Sequence, residues 1–178
     1  GAYRLGAAAL MQGLADCYFE LPYTIQIFLS DQITVPRFSI DMPEFVATEK
    51  AVQERINHLM SIKGKKSVDS IHKELGHVMW EYVGMARNKK GLETALVKLK
   101  EIRKEFETNL FIPELTGVNV ELDKALRLND FITMGQLIAI DALNREESCG
   151  GHFREEHQTE EGEAKRRPAL LLRFVLRI

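Results

Sequence analysis

The stretch GAYRLGAAALMQG at the start of the chain places an arginine just before a run of small residues and a leucine. At a helix N-terminus, small side chains let backbone N–H groups approach an anion. The planar fork of Arg4 could grip a carboxylate or phosphate. The commoner origin of such a run is a small-residue helix packed closely on a neighbour, with a surface arginine beside it. A second candidate is HFREEH, from His152 to His157. Its histidines are five apart, so one helix face cannot hold both, and the pattern is neither HExxH nor HxxEH. His72 and His77 share that spacing and read as surface or core-rim residues; His58 stands alone. No metal site follows, and a polar loop is the better reading of HFREEH. Cys149, between Ser148 and Gly150, has no base assigned by spacing and reads as a small buried thiol. Neither GxGxxG nor a P-loop occurs.

Composition narrows the partners. The 178 residues carry 24 Lys+Arg against 26 Asp+Glu, a formal net charge of −2, which produces no field favouring nucleic acid or an anionic membrane. Hydrophobic residues make up 45% and charged residues 28%, ordinary for a soluble globular chain. Two distant cysteines, Cys17 and Cys149, supply neither a disulfide framework nor a structural zinc site, so a reducing cytoplasm is expected. The apolar stretch from Leu5 to Ile33 is broken by Gln12, Asp16, Glu20 and Pro22, which argues against a membrane span.

The elements that must position these residues are helical. One helix is expected over residues 5–20 and another over 22–33, restarting at Pro22. TVPRFSIDMP is an irregular connector bracketed by Pro36 and Pro43, and a domain boundary is placed there. Beyond it, Phe45, Val52, Ile56 and Leu59 fall on one face, spaced 7, 4 and 3 apart. A second helix turns Ile71, Leu75, Val78, Tyr82 and Met85 inward, with Ser67 or Asp69 as its cap. The third repeats Leu92, Leu96, Leu99, Ile102, Phe106 and Leu110 at 4, 3, 3, 4 and 4. A fourth runs from about Val120 to Arg145 through Leu122, Leu126, Leu137, Ile140 and Leu143. Short polar links imply antiparallel neighbours. The fold expected is all-α: an antiparallel, spectrin-repeat-like bundle of three to four long helices after a separate helical segment. The divisions are residues 1–42, 43–147, and an extended polar segment with an apolar tail at 148–178.

Two stretches in the right order carry a family resemblance. GAYRLGAAALMQGLADCYFELPY resembles the end of the flavin-binding domain in flavoprotein subunits of succinate dehydrogenase and fumarate reductase, where GA-N-RLG precedes small residues and a leucine. LNREESCGGHFREEH resembles the ESRG-x-H signature after the last long helix of the same subunits, and GLETALVKLKEIRKEF looks like their third bundle helix. Both stretches look most like the Bacteroides-like type. Tyr3 stands where the family has asparagine, Ala9 where it has serine and Cys149 where it has the arginine of ESRG; His152 matches the signature histidine.

The resemblance implies that residues 1–42 are a remnant of the flavin domain and that the chain is a C-terminal fragment. It implies that Arg4 binds a carboxylate of the dicarboxylate substrate, and that the backbone of Ala9 and Leu10 reaches the flavin. No residue of the fragment is then catalytic. The parent would interconvert succinate and fumarate with FAD on the cytoplasmic face of the inner membrane. Its partners would be an iron–sulfur subunit plus a membrane anchor subunit. The fragment alone is expected to be inactive and flavin-free, and to self-associate through residues 5–33 or be disordered there. L-aspartate oxidase, which shares an RL-x-SNSL-like element, is the rival inside the family. A stand-alone helical interaction module is the rival outside it. The tail RRPALLLRFVLRI departs from the family and reads as the product of a shifted frame or truncated gene, poorly ordered or held in a contact.

Overall fold

A computed structural model describes residues 8–35 and 37–167. The chain divides into two compact units, Gly1–Lys50 and Ala51–Ile178.

In the first unit, α1 (Ala8–Ala15) passes through a π turn (Asp16–Glu20) into α2 (Leu21–Ser30). A new α-helical piece does begin beside Pro22, which lies in the first turn of α2, but the π turn joins it to α1 without a break in the helical run. A proline in a regular helix clashes with the carbonyl four residues back. Widening the preceding turn relieves that clash, and Leu21 N–H accordingly bonds to the Asp16 carbonyl, five residues back. No described side chain from Ala9 to Val35 is buried; Leu10 is 74% exposed and Phe28 76%.

The remaining elements are α3 (Pro43–Ser61), β1 (Lys66–Ser67), α4 (Val68–Val83), β2 (Ala86–Arg87), α5 (Lys89–Asn109), β3 (Leu110–Phe111), α6 (Val120–Asn144) and β4 (Phe153–Arg154). Helices α4, α5 and α6 each pack on the other two. Their N-termini are closed by side chains that accept from backbone N–H groups: Ser67 from Ser70, Asn88 from Gly91 and Asn119 from Leu122.

Two short parallel pairings fix the helix directions. Lys66 pairs with Leu110, so the start of α4 and the end of α5 share one end of the bundle. Ala86 pairs with Phe153, which brings the segment after α6 to the α4–α5 link at the other end. Helix α5 is therefore antiparallel to both of its neighbours, and the all-α bundle is the architecture observed.

The core joins Ile71, Leu75 and Val78 of α4 to Leu92, Ala95, Leu99, Ile102 and Phe106 of α5. One expectation about burial fails. Met85 lies past the end of α4 and is 89% exposed. On the α3 face only Leu59 is buried. On α6 the inward residues are Ala125, Leu128, Ile132, Gly135, Ala139 and Ala142, whereas Leu137 and Ile140 face outward. Small residues let α6 approach its neighbours closely. A Cβ added at Gly135 would lie 3.1 Å from Met79 Sδ and 3.7 Å from Leu99 Cδ2.

Candidate functional site

Of the residues assigned to flavin and substrate, Arg4 lies outside the described residues. Ala9 and Leu10 sit in the first turns of α1, both exposed. AALMQGLA holds no charged side chain. These residues present a neutral, exposed stretch of α1. Cys17 is a free, exposed thiol on the π turn.

The densest constellation of ionisable groups lies instead in the second unit, where residues 145–167 fold onto one end of the bundle. Sequence reading makes this an extended polar surface; the structure corrects it, because Glu147, Ser148, His152 and Arg154 are buried. The turn is set by CGGH. Cys149 and His152 exchange backbone hydrogen bonds of 2.8 and 3.1 Å across Gly150, whose φ of 59° suits a residue without Cβ. Ser148 Oγ then donates to the Arg154 carbonyl and accepts from the Arg154 N–H at 2.8 Å.

Arg154, 3% exposed, closes the end of α6. Its Nη1 donates to the carbonyls of Ala142 and Leu143 at 2.8 and 3.1 Å. These are among the last acceptors of the helix, where a cation also suits the macrodipole. Arg154 Nε meets Glu156 Oε2 at 3.1 Å, and Glu156 in turn accepts from the N–H of Lys89, the first residue of α5. One ion pair thus puts its cation on a helix C-terminus and its anion on a helix N-terminus. Burial works against ionising Glu156, but the Lys89 N–H, its own N–H and Arg154 outweigh it and hold the carboxyl below the usual range.

His152, 5% exposed, is held from both sides. Arg87 Nη1 lies 3.1 Å from its Nδ1, and the Arg145 carbonyl 3.1 Å from its Nε2. A guanidinium can only donate and a carbonyl can only accept, so Nδ1 is bare and Nε2 carries the proton. Burial, followed by the charges of Arg145, Arg87 and Arg154, pushes the pKa down against the favourable Arg145 carbonyl bond, and the ring is neutral. Both nitrogens are engaged in these bonds, so neither is free to ligate a metal while the bonds stand. No group of potential metal ligands occurs among the described residues, and none of their buried side-chain polar atoms lacks a partner. Chemically this is a clamp rather than a reaction centre.

Sequence reasoning singles out His152 but misses Arg154, Ser148 and Glu156. The signal for Arg154 and Glu156 is the FREE that follows the histidine, in a segment too charged to read as buried. The other candidates dissolve into packing: His72 stacks on Phe131 at 5.5 Å, and His77 faces Glu81 on the surface. An open groove of about 840 Å³ is lined by residues of α4 and α5 together with Lys66. Cations and carboxylates alternate around it, with Lys66 bound to Glu74 at 2.9 Å and Glu105 at 3.5 Å, so it selects neither sign.

The described residues thus form a helical bundle closed at one end by a buried arginine–histidine clamp. The chain belongs to the family described as fumarate reductase flavoprotein C-term, whose model matches residues 72–171. The fumarate reductase flavoprotein subunit of a Serratia species is 30% identical over 108 residues, covering 61% of this chain and 18% of the relative. Chloroplastic L-aspartate oxidase of Arabidopsis thaliana is 34% identical over 172 residues, 97% of this chain and 26% of that protein. The fold is shared with quinol fumarate reductase of E. coli, at a TM-score of 0.62 and 24% identity over 76% of this chain and 22% of that one. The chain thus spans about a quarter or less of each of these proteins. Among the described residues no helix is long and apolar enough to cross a membrane.

Proposed function

We propose that this chain is the C-terminal part of a fumarate reductase or succinate dehydrogenase flavoprotein subunit. The whole subunit interconverts succinate and fumarate by hydride transfer with FAD. The observation that carries this reading is the family match over residues 72–171, which spans most of the bundle and the clamp. FAD supplies the redox chemistry when bound. In the same proposal Arg4 holds a carboxylate of the dicarboxylate, and the backbone at Ala9 and Leu10 lies along the flavin. The subunit passes electrons through an iron–sulfur subunit to or from a membrane anchor subunit, and it sits peripherally on the cytoplasmic face of the inner membrane. Support for partner surfaces comes from residues 9–30, where Leu10, Phe19, Phe28 and other large apolar side chains are exposed and no described side chain is buried. An exposed apolar surface of this kind marks an interaction face.

The coverage of Arabidopsis L-aspartate oxidase favours a second reading, an L-aspartate oxidase-like flavoprotein. The polypeptide encoded by the complete reading frame separates the two. Purified with its flavin, it should oxidise a reduced viologen when fumarate is added; turnover with L-aspartate as the only donor and no turnover with succinate would favour the second. The 178-residue chain itself is proposed to be inactive and flavin-free.

A further inference from the structure

The clamp contains one group able to change charge near neutral pH, and that group is the keystone. Charged groups face His152 from each element around it. Arg87 comes from β2, with Asp141 near enough to attract it; Arg145 comes from the end of α6; Glu147 and Arg154 come from its own segment, where the Cys149 backbone pairs with His152. Three of these are guanidinium groups. Glu147 is the anion that attracts a charged His152, but its oxygens already accept from Arg145 Nη2 and from the Arg167 N–H, both at 3.1 Å.

We propose that His152 is a pH-sensitive latch, whose protonation at Nδ1 breaks the bond from Arg87 and releases residues 147–167 from the end of the bundle. The step is a proton transfer from solvent to the Nδ1 lone pair, with Nε2–H retained. Afterwards two N–H groups point at each other across the former 3.1 Å bond, and a fourth positive charge joins Arg87, Arg145 and Arg154. Relief comes from moving Arg87 away. That strains the Glu155 N–H bond to the Arg87 carbonyl, 2.8 Å long, and the adjoining β2–β4 pairing.

The direction of the pH effect follows from the depressed folded-state pKa. The unfolded chain binds the proton more readily, so the latch is fully closed above about pH 6.5 and loosens as pH falls through the window below it. Glu147 and Glu156 do not mask this. Their carboxyls are held below the ordinary glutamate range despite burial, so both stay charged throughout that window.

Only residues of the second unit take part, so the latch stands whatever reaction the whole subunit performs. The test is NMR on the 178-residue chain, following the His152 ring and amide protection. The His152 midpoint should fall below about 6.5. The Glu155 amide should be less protected than the core Leu99 and Ile102 amides, as local release requires, and between about pH 7.5 and 5.5 its protection should drop by up to about tenfold. His152→Gln, which carries no charge, should remove that drop. A His152 midpoint at or above about 6.5, Glu155 protection that does not change with pH or that equals that of Leu99 in the wild-type chain, or an equal drop in His152→Gln would overturn the proposal. If the variant does not fold, the wild-type titration and the Glu155 protection decide the matter alone.

Discussion

Arg154 Nη1 donates to the carbonyl oxygen of Ala142 at 2.8 Å, so a guanidinium twelve residues downstream completes the last turn of α6. The same side chain carries Glu156, which caps the start of α5. A single residue therefore ties the two helix ends at one end of the bundle to the segment that covers them.

Arg154→Ala should be severe. It leaves the Ala142 and Leu143 carbonyls without their donor and Glu156 without its cation. The cost should be about 3 kcal/mol or more, read as a lower urea midpoint at unchanged slope. Arg154→Lys should recover only part of it, because an ammonium cannot serve the helix end and the carboxylate with one rigid fork. An Arg154→Ala midpoint equal to wild type would mean that the clamp contributes nothing.

Leu99→Ala removes a fully buried side chain at the centre of α5 and should cost about 2–5 kcal/mol. The neighbouring Lys100 is exposed, and Lys100→Ala should stay within about 0.5 kcal/mol. Matched chemical denaturation of the two variants checks the orientation of the helix.

The two glycines that flank and interrupt α4 should respond oppositely. A Cβ at Gly64 would lie 2.0 Å from the Asn109 carbonyl carbon, so Gly64→Ala must push the backbone beside β1 away from β3, at about 1–3 kcal/mol. A Cβ at Gly76, inside α4, meets nothing within 4 Å. Gly76→Ala should therefore stabilise by about 0.4–1 kcal/mol through the unfolded state. Thermal melts of both variants read the two signs directly.

The isolated chain should associate through its first unit. Leu14, Phe19, Tyr23, Ile27 and Phe28 are all exposed on the α1–α2 run, a larger apolar surface than a monomer usually leaves open. Light scattering across a concentration series should show rising mass, and Phe19→Glu with Phe28→Glu should abolish it. A monomer at every concentration would count against this surface being an interface.

Much of the bundle is legible in the sequence, and the failures share a cause. Apolar residues at helical spacing locate α4, α5 and α6, although α4 and α5 each begin three residues before their first stripe residue, at Val68 and Lys89. The inward face of α6 is not legible from its large residues, because Gly135 and Ala139 face the core and Leu137 and Ile140 do not. Close helix approach rewards small side chains, a tertiary demand that hydrophobicity alone does not encode. The clamp escapes sequence reading for the converse reason. Arg154 and Glu147 are charged yet buried, since each finds its partner far along the chain or at a helix end. The π turn before Pro22 stays hidden because a proline signals a break without saying how the chain absorbs it.

That this chain is the C-terminal part of a dicarboxylate-handling flavoprotein is tested most directly by one measurement. The polypeptide encoded by the complete reading frame is purified, its flavin content determined, and fumarate-dependent oxidation of a reduced viologen followed beside the same assay with Arg4→Ala. Bound FAD, fumarate turnover in the wild type, and its loss in the variant with FAD retained are the expected results. Flavin-free protein, or fumarate turnover unaffected by Arg4→Ala, would contradict the assignment.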